Sequence, residues 1–467
     1  MLRHLLQRPN CLLSSRNRFQ FLTTLLVSLL PIAHGIGLGW LSPTLRKLQS
    51  PEQTPLSFAV DIYEVSWIGS AIGLGSILGT ILTASFLERL GHKIRLLLVG
   101  LPHTCFWVLI FFAPTVEYLY AARFLAGVSS GGMFIVHPIF ISEIADSRIR
   151  GSLSAMVMLS INLGILSGYI IGTHVPYHII PAIVIFIPLT YLISSLFIPE
   201  TPQYLIKQGK YAEAEKSFRY YKNLKVSKNF IASGSSVSEF DDLKIALTHK
   251  QSSEEEKLAF KDFVSRPAVK AYGVAVVLIL ANQFSGTFAF VNYMSNIFAQ
   301  SGTSMDPDTC SIVIGVVQIC GTYVTTLLCD SYGRKKLMLV SSAGVALCLT
   351  AFGLFTHYSQ IYDLNRFSWL PLVLMSLDIF LGNIGLVGCF YMLLVEVFPA
   401  KIRSRATSAA ILLSSGIIFL MLNIFPICMS KWGISITMWS CASFTAASFV
   451  FFWYFLEETR GKSMLEN

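Results

Sequence analysis

The sequence predicts an all-α polytopic membrane protein, twelve transmembrane helices in two six-helix halves, on three observations. Mean hydropathy is +0.62, with 54% of the 467 residues hydrophobic and only 13% charged, about half the charge of a soluble domain. Apolar stretches close to the length that crosses a bilayer recur twelve times. With the N-terminus placed in the cytoplasm, thirty of the 35 Lys and Arg residues fall on that side and only Arg46, Lys47, Arg366 and Lys431 on the other, with Arg123 inside a span. That is the positive-inside pattern. The net charge of +9 is therefore a mark of topology. A nucleic-acid-binding protein, a disordered chain and a soluble enzyme are all excluded.

Each element follows in order. Residues 1–18 form a cytoplasmic tail carrying four Arg but no small-residue cleavage site, so no cleaved signal peptide is expected. The N-terminal bundle, 19–198, holds spans at roughly 19–41, 63–87, 94–112, 118–141, 152–172 and 178–198. Residues 199–267 are a polar cytoplasmic linker, in which Lys210–Leu224 and Glu239–Lys250 read as short amphipathic helices. The C-terminal bundle, 268–456, holds spans at roughly 268–299, 309–329, 336–356, 368–395, 405–429 and 433–456, and 457–467 is a cytoplasmic tail. Gly73-x-Gly75-x-x-x-Gly79, Gly127-x-x-x-Gly131 and Gly164-x-x-x-Gly168 lie inside spans, where small residues serve close helix packing. His34, His103 and His137 read as packing residues. The nine Cys are scattered without CxxC pairs, so neither a disulfide framework nor a metal site is expected. No Asn-x-Ser/Thr acceptor occurs.

The second half repeats the first. Leu87-Glu88-Arg89-Leu90-Gly91-His92-Lys93 answers to Cys329-Asp330-Ser331-Tyr332-Gly333-Arg334-Lys335. Glu143 with Arg150 answers to Glu396 with Arg403, and Pro199-Glu200-Thr201 to Glu457-Glu458-Thr459. Three charged signatures in the same order, all at cytoplasmic span ends, describe two halves related by an axis along the membrane normal. That is a transporter architecture. Carboxylates and guanidinium groups at these ends are expected to pair across the halves and close the inner mouth: Glu88, Arg89, Glu143, Arg150, Asp330, Arg334, Glu396 and Arg403.

A ligand is read from the polar groups inside the spans. Buried countercharges are sparse, whereas amides recur at Asn162, Asn282, Gln283, Asn292, Gln318 and Asn383. Amides donate and accept at once, which suits a neutral polyol, and the rings of Tyr293 and Tyr391 suit the apolar face of a sugar. Asp378, in the outer part of the tenth span, is expected to be wetted by the outer vestibule or paired with Asn383.

With these motifs in hand, the sequence resembles the sugar porters of the major facilitator superfamily from Gly39-Trp40 to Gly461-Lys462. The resemblance rests on the loop motifs above, Arg123-Phe124-Leu125-x-Gly127, Pro138-x-Phe140-x-x-Glu143, Pro199-Glu200-Thr201-Pro202 and Gln283-Phe284-Ser285-Gly286. The opening Gly39-Trp40-x-Ser42-Pro43 is similar to the facilitated trehalose transporter branch. The resemblance implies the major facilitator fold, alternating access, and sugar contacts at Gln283, Asn282, Asn162 and Gln318. Three departures stand beside it. Phe288 occupies a position where the family has Asn. Val387-Gly388-Cys389-Phe390-Tyr391 lacks the family's two prolines and Trp, which predicts a tenth span without its break. Ser414-Ser415 replaces an Asn-Trp pair.

Proton-coupled relatives set a first-span carboxylate beside the Arg that corresponds to Arg123. Here that position is Leu41, and 19–42 holds no Asp or Glu. The expected function is a facilitative uniporter of a neutral sugar, a hexose or trehalose, with a proton-coupled symporter or an orphan transceptor as alternatives. No enzyme activity, cofactor, metal or nucleic-acid partner is expected. The partners are the sugar and the lipid bilayer. The protein is expected to act as a monomer in the plasma membrane with both termini cytoplasmic.

Overall fold

A computed structural model describes residues 17–52, 54–85, 90–146, 148–223, 240–241, 243–245, 260–399 and 401–458, with backbone alone at 260, 330 and 404. Among them there is no strand. The first six spans are Arg18–Gln49, Ile62–Ser85, His92–Phe112, Val116–Ile144, Arg150–His174 and Ile179–Phe197. The seventh to tenth are Arg266–Gln300, Pro307–Tyr332, Arg334–Tyr358 and Asn365–Glu396. The last helix, Arg403–Phe455, has 53 residues, more than twice what a bilayer needs. Gly433, at φ +82 and ψ 163, interrupts it and divides it into an eleventh and a twelfth span. Twelve passes return the chain to the end where it began. That end is called the terminal end here, and the other the far end.

Helix starts are set by local chemistry. Asp61 and Glu64 cap each other reciprocally at the second span, with N–H···O distances of 2.8 and 2.7 Å, and Asp306 accepts from the Thr309 N–H at the eighth. In the linker, Pro202–Lys207 and Tyr211–Tyr221 are helical; most of the Glu239–Lys250 run lies outside the described residues. Large apolar side chains such as Phe197, Leu347, Phe186 and Phe112 stand exposed around the bundle, which a lipid-facing wall requires.

Glycine rows set the spacing of the first six spans. A Cβ on Gly127 would strike the Ile72 carbonyl oxygen, and one on Gly164 the Ile32 carbonyl oxygen. The second and fourth spans, and the first and fifth, therefore meet backbone to backbone. The last six spans carry the wider helix breaks. The seventh stops at Phe284, turns through Ser285 and Gly286 (φ +84), and restarts as Thr287–Gln300 with non-helical angles at Tyr293.

The tenth span corrects the expectation drawn from its missing prolines. It runs as Leu370–Gly382, loosens into a π turn over Asn383–Val387, and resumes as Phe390–Glu396. The freed backbone groups find partners on three neighbouring spans. Asn282 Nδ2 donates to the Leu386 carbonyl (2.8 Å), Ser341 Oγ accepts from the Leu386 N–H (3.0 Å), and Thr325 Oγ1 donates to the Asn383 carbonyl (2.7 Å). Side chains of other helices thus do what a proline would otherwise impose.

Candidate functional site

Two groups of amides sit midway along the bundle. Gln318 and Thr322 are four residues apart on the eighth span and share a face. Gln318 Nε2 donates to Asn162 Oδ1 of the fifth span (2.9 Å), and Asn162 Nδ2 donates to Thr322 Oγ1 (2.6 Å). The Thr322 hydroxyl lies 3.0 Å from the Gln318 carbonyl and 3.4 Å from Asn383 Oδ1, and its one proton serves one acceptor at a time. This group joins the two halves. The second group lies within the C-terminal half: Gln283 Nε2 donates to Asn282 Oδ1 (2.8 Å) and to Ser414 Oγ (3.3 Å). Gln283 Oε1 and Gln318 Oε1 are buried and have no donor among the described residues. Buried amide oxygens are seldom left so, and each of these two keeps its capacity to accept a hydrogen bond.

Asn292, Tyr293 and Tyr391 do not join these groups. Asn292 Oδ1 accepts from Arg123 Nη2 (3.0 Å), and its Nδ2 donates to the Phe288 carbonyl (2.9 Å). Arg123 is fully buried, and its other bonds go to the Gly37 and Ile68 carbonyls (both 3.1 Å). No carboxylate contributes to this set. Tyr293 donates to the Leu422 carbonyl (2.8 Å), stacks on Phe425 and presses its hydroxyl against Gly69. A recess of about 410 Å³ opens beyond it at the far end, lined by Gln49, Asn296, Gln300 and Met429 among others. Toward the terminal end, Tyr391 stacks on Phe134 at 5.5 Å. One aromatic barrier therefore lies on each side of the amides, and the Tyr391 face is already covered by Phe134.

Sequence reasoning missed Phe134 and Thr322, because their roles depend on contacts between distant spans. Ser414 and Ser415 were noted only as replacements, yet Ser414 joins the Gln283 group and Ser415 pairs with Ser76 of the second span at 3.0 Å. Asp378 departs from both expectations. It is 1% exposed, and neither carboxylate oxygen has a donor among the described residues. Asn383 Nδ2 instead bonds the Ile379 carbonyl.

The halves are laced together chiefly at the far end. Ser42 Oγ meets Ser295 Oγ (3.1 Å), Asn296 Nδ2 donates to Gln49 Oε1 (2.8 Å), and Arg46 pairs with Asp308 (3.0 Å). Ser66 Oγ donates to the Asn423 carbonyl (2.6 Å) and Tyr169 to the Val291 carbonyl (2.9 Å).

At the terminal end two ion pairs lie within a half, while the pairing across the halves that the sequence suggested rests partly on side chains outside the described residues. His92 Nε2 meets Glu143 Oε2 at 3.0 Å in the first half, and Arg334 meets Glu396 at 3.5 Å in the second. Glu200 accepts from the His92 and Lys93 N–H groups, and Glu458 accepts from those of Arg334 and Lys335. Glu200 and Glu458 thus satisfy the open N–H groups of a helix start in their own half. Arg403 donates to the Phe398 carbonyl, and Arg150 is exposed. Glu88, Arg89 and the Asp330 side chain lie outside the described residues.

Comparison with known proteins completes the picture. A family model described as "Sugar (and other) transporter" matches residues 42–467. The facilitated trehalose transporter Tret1 of Bombyx mori is 29% identical over 422 residues, covering 89% of this chain and 81% of its own. Tret1 of Polypedilum vanderplanki is 28% identical, covering 96% and 87%. Among solved structures, the proton:xylose symporter XylE bound to 6-bromo-6-deoxy-D-glucose superposes with a TM-score of 0.72 at 20% identity, over 97% of this chain and 98% of that one. The inward open conformation of XylE from E. coli gives a TM-score of 0.75 at 19% identity, over 96% and 99%. These likenesses establish the major facilitator fold.

Proposed function

The chain belongs to the sugar transporter family, and on that premise we propose that it is a uniporter that equilibrates a neutral sugar, a hexose or trehalose, across the plasma membrane. The chemistry is transport without an enzymatic step, carried by a monomer in the lipid bilayer with both termini in the cytoplasm. The observation that carries this reading is the pair of buried, donorless oxygens, Gln283 Oε1 and Gln318 Oε1, among amides that can both donate and accept. Asn162, Asn282, Gln283, Gln318 and Asn383 supply the binding surface, with Thr322 and Ser414 beside them.

Alternating access is a rocking of 19–198 against 268–456. Tyr293 closes the outer side and Phe134 with Tyr391 the inner side, while Asn292 holds Arg123 across the seam. Pairs such as His92–Glu143 and Arg334–Glu396 keep each half rigid as it moves. Passive transport fits the surroundings of Arg123, whose guanidinium stays charged at working pH and is bonded to carbonyls and an amide rather than to a titrating carboxylate.

The test is uptake of a labelled sugar panel into proteoliposomes, with and without a pH gradient. Saturable uptake that equilibrates without accumulating is expected. Gln283→Ala is expected to lower it about tenfold, as the loss of about 1–3 kcal/mol of hydrogen bonding implies. Accumulation driven by an inward proton gradient would establish symport, and wild-type uptake by folded Gln283→Ala would remove the seventh-span amides from the site.

A further inference from the structure

Three sulfur atoms meet near the terminal end, apart from the amides. Cys329, in the last turns of the eighth span, and Cys389, at the start of the tenth span's final limb, are buried with their Sγ atoms 3.7 Å apart. Met392 Sδ is 3.7 Å from Cys329 Sγ. Cys389 and Met392 are three residues apart, so they face the same way. Met392 is 38% exposed and forms the accessible side of the cluster. Among the described residues no group of three His, Cys, Asp or Glu side chains is placed to hold a metal, so the ligand set they offer here is two thiols and a thioether.

Metal–sulfur bonds of about 2.3 Å hold their sulfurs about 3.8 Å apart in a tetrahedral site and about 4.0 Å apart in a trigonal one. The two measured separations are within a few tenths of an ångström of these values. A disulfide would need its sulfurs at about 2.05 Å, a far larger movement of two packed helices. Thiolate with thioether is the donor set that selects monovalent copper over harder cations. Arg334 Nη1 donates to the Cys329 carbonyl at 3.3 Å, which sets a guanidinium beside the cluster.

We propose that Cys329, Cys389 and Met392 bind a soft monovalent d10 cation of the Cu(I) class, and that its binding fastens the terminal limb of the tenth span to the eighth. On binding, each thiol releases one proton to water, and the cation takes two thiolates and one neutral thioether. No electron is transferred. The site then carries one negative charge, which Arg334 opposes. A fastened tenth span cannot move Tyr391 off Phe134, so the bound cation inhibits sugar movement.

The test uses the purified full-length chain without oxygen, in the presence of excess free thiol, which outcompetes isolated cysteines. Cu(I) and the redox-inert probe Ag(I) are added separately, and retained metal is measured after desalting. One equivalent is expected in the wild type, at least a tenfold weaker hold in Cys329→Ser and in Cys389→Ser, and a smaller loss in Met392→Leu. Either metal should slow uptake by the wild type and spare Cys389→Ser. Equal metal content in the wild type and both Ser variants would overturn the site. So would inhibition by oxidised copper together with a Cys329–Cys389 cross-link and no retained Ag(I), because that would make the pair a redox bridge. Metal content is read without any sugar, so failure of this site and failure of the transport reading are separately visible.

Discussion

The two halves share a design at their terminal ends, where His92–Glu143 answers to Arg334–Glu396, and diverge along the spans. Gly91 lies against the Glu200 carboxylate and Gly333 against that of Glu458, and each carboxylate accepts two N–H groups at the start of the following span. Beyond these shared contacts, the first half is mostly welded and the second mostly jointed, although Gly385 of the second half also lies against a backbone carbonyl, that of Leu337. Gly75 and Gly127, Gly35 and Gly164, and Gly168 and Trp40 bring backbones into contact in the first half. The second half carries the turn at Ser285–Gly286, the non-helical Tyr293, the π turn at Asn383–Val387 and the break at Gly433. Its amides are what make those joints tolerable in an apolar medium. A duplicated bundle thus keeps most of its backbone-to-backbone packing in one copy and carries most of its helix breaks in the other.

The largest effect should come from attacking the weld. Gly127→Val places a branched side chain against the Ile72 carbonyl and the Gly75 backbone, which cannot retreat as a side chain would. Overpacking of this kind costs about 1–3 kcal/mol or more, a large part of a stability of about 5–15 kcal/mol. Gel filtration should show little folded protein. Gly273→Val, in the second half, meets nothing within 4 Å and should fold normally. Equal losses in both variants would mean that the glycine rows do not distinguish the halves.

A smaller effect should come from loosening a joint. Asn282→Ala leaves the Leu386 carbonyl without its 2.8 Å donor, at about 1–3 kcal/mol, so both thermal stability and uptake should fall. Gln283→Ala gives up the Nε2 bonds to Asn282 and Ser414 and should also lower the melting temperature, but its loss of uptake should exceed that of Asn282→Ala, because it alone removes the donorless Oε1. A thermal scan of both variants beside their uptake rates separates the amide that braces the tenth span from the amide that meets sugar. If both behave alike, that division is wrong.

How much of this was legible in the sequence depends on the range of the contact. The twelve spans and their alternation follow from hydropathy and the placement of Lys and Arg, both local properties. The glycine rows could be read as close packing because their four-residue spacing sets one face. The tenth-span break was not legible, since no proline marks it and its supports, Asn282, Thr325 and Ser341, come from three other spans. The partners of Glu143 and Glu396 were hidden for a related reason. Their seven-residue spacing to Arg150 and Arg403 repeats in both halves, yet each carboxylate meets the start of the span after the neighbouring loop motif. Asp378 shows the reverse case: its type and position were plain, but only packing shows that it is sealed from both solvent and Asn383.

Next in size is a contrast between ends. Arg46 ties the halves together through Asp308, whereas Arg334 meets Glu396 inside one half. A partly exposed pair such as Arg46–Asp308 is worth about 0–1 kcal/mol, so Arg46→Ala should raise the outward-open population by up to roughly fivefold. Cysteine accessibility at positions lining the far-end recess would report it. Arg334→Ala should leave that accessibility unchanged. A shift in the second variant as large as in the first would give the terminal-end charges a cross-half role.

The smallest effect is one of pH, and its sign is fixed by Asp306, which lies just outside the eighth span. Partial burial pushes its carboxyl up, but the Thr309 N–H and hydroxyl, each at 2.9 Å, and Arg46 at 3.9 Å outweigh that and hold it below the ordinary 3.8. A carboxylate depressed in the folded state contributes stability that is fully present above the unfolded value and is lost only as pH falls through the lower folded one. From roughly pH 5 to 8, both of those values lie below the working range. The charge at Asp306 is therefore constant there, and outer accessibility should stay flat across those pH values. A pH response that persists in Arg46→Ala would place the titrating group away from this far-end pair. A response abolished by Arg46→Ala would instead show that the far-end latch titrates in this range, contrary to the surroundings of Asp306.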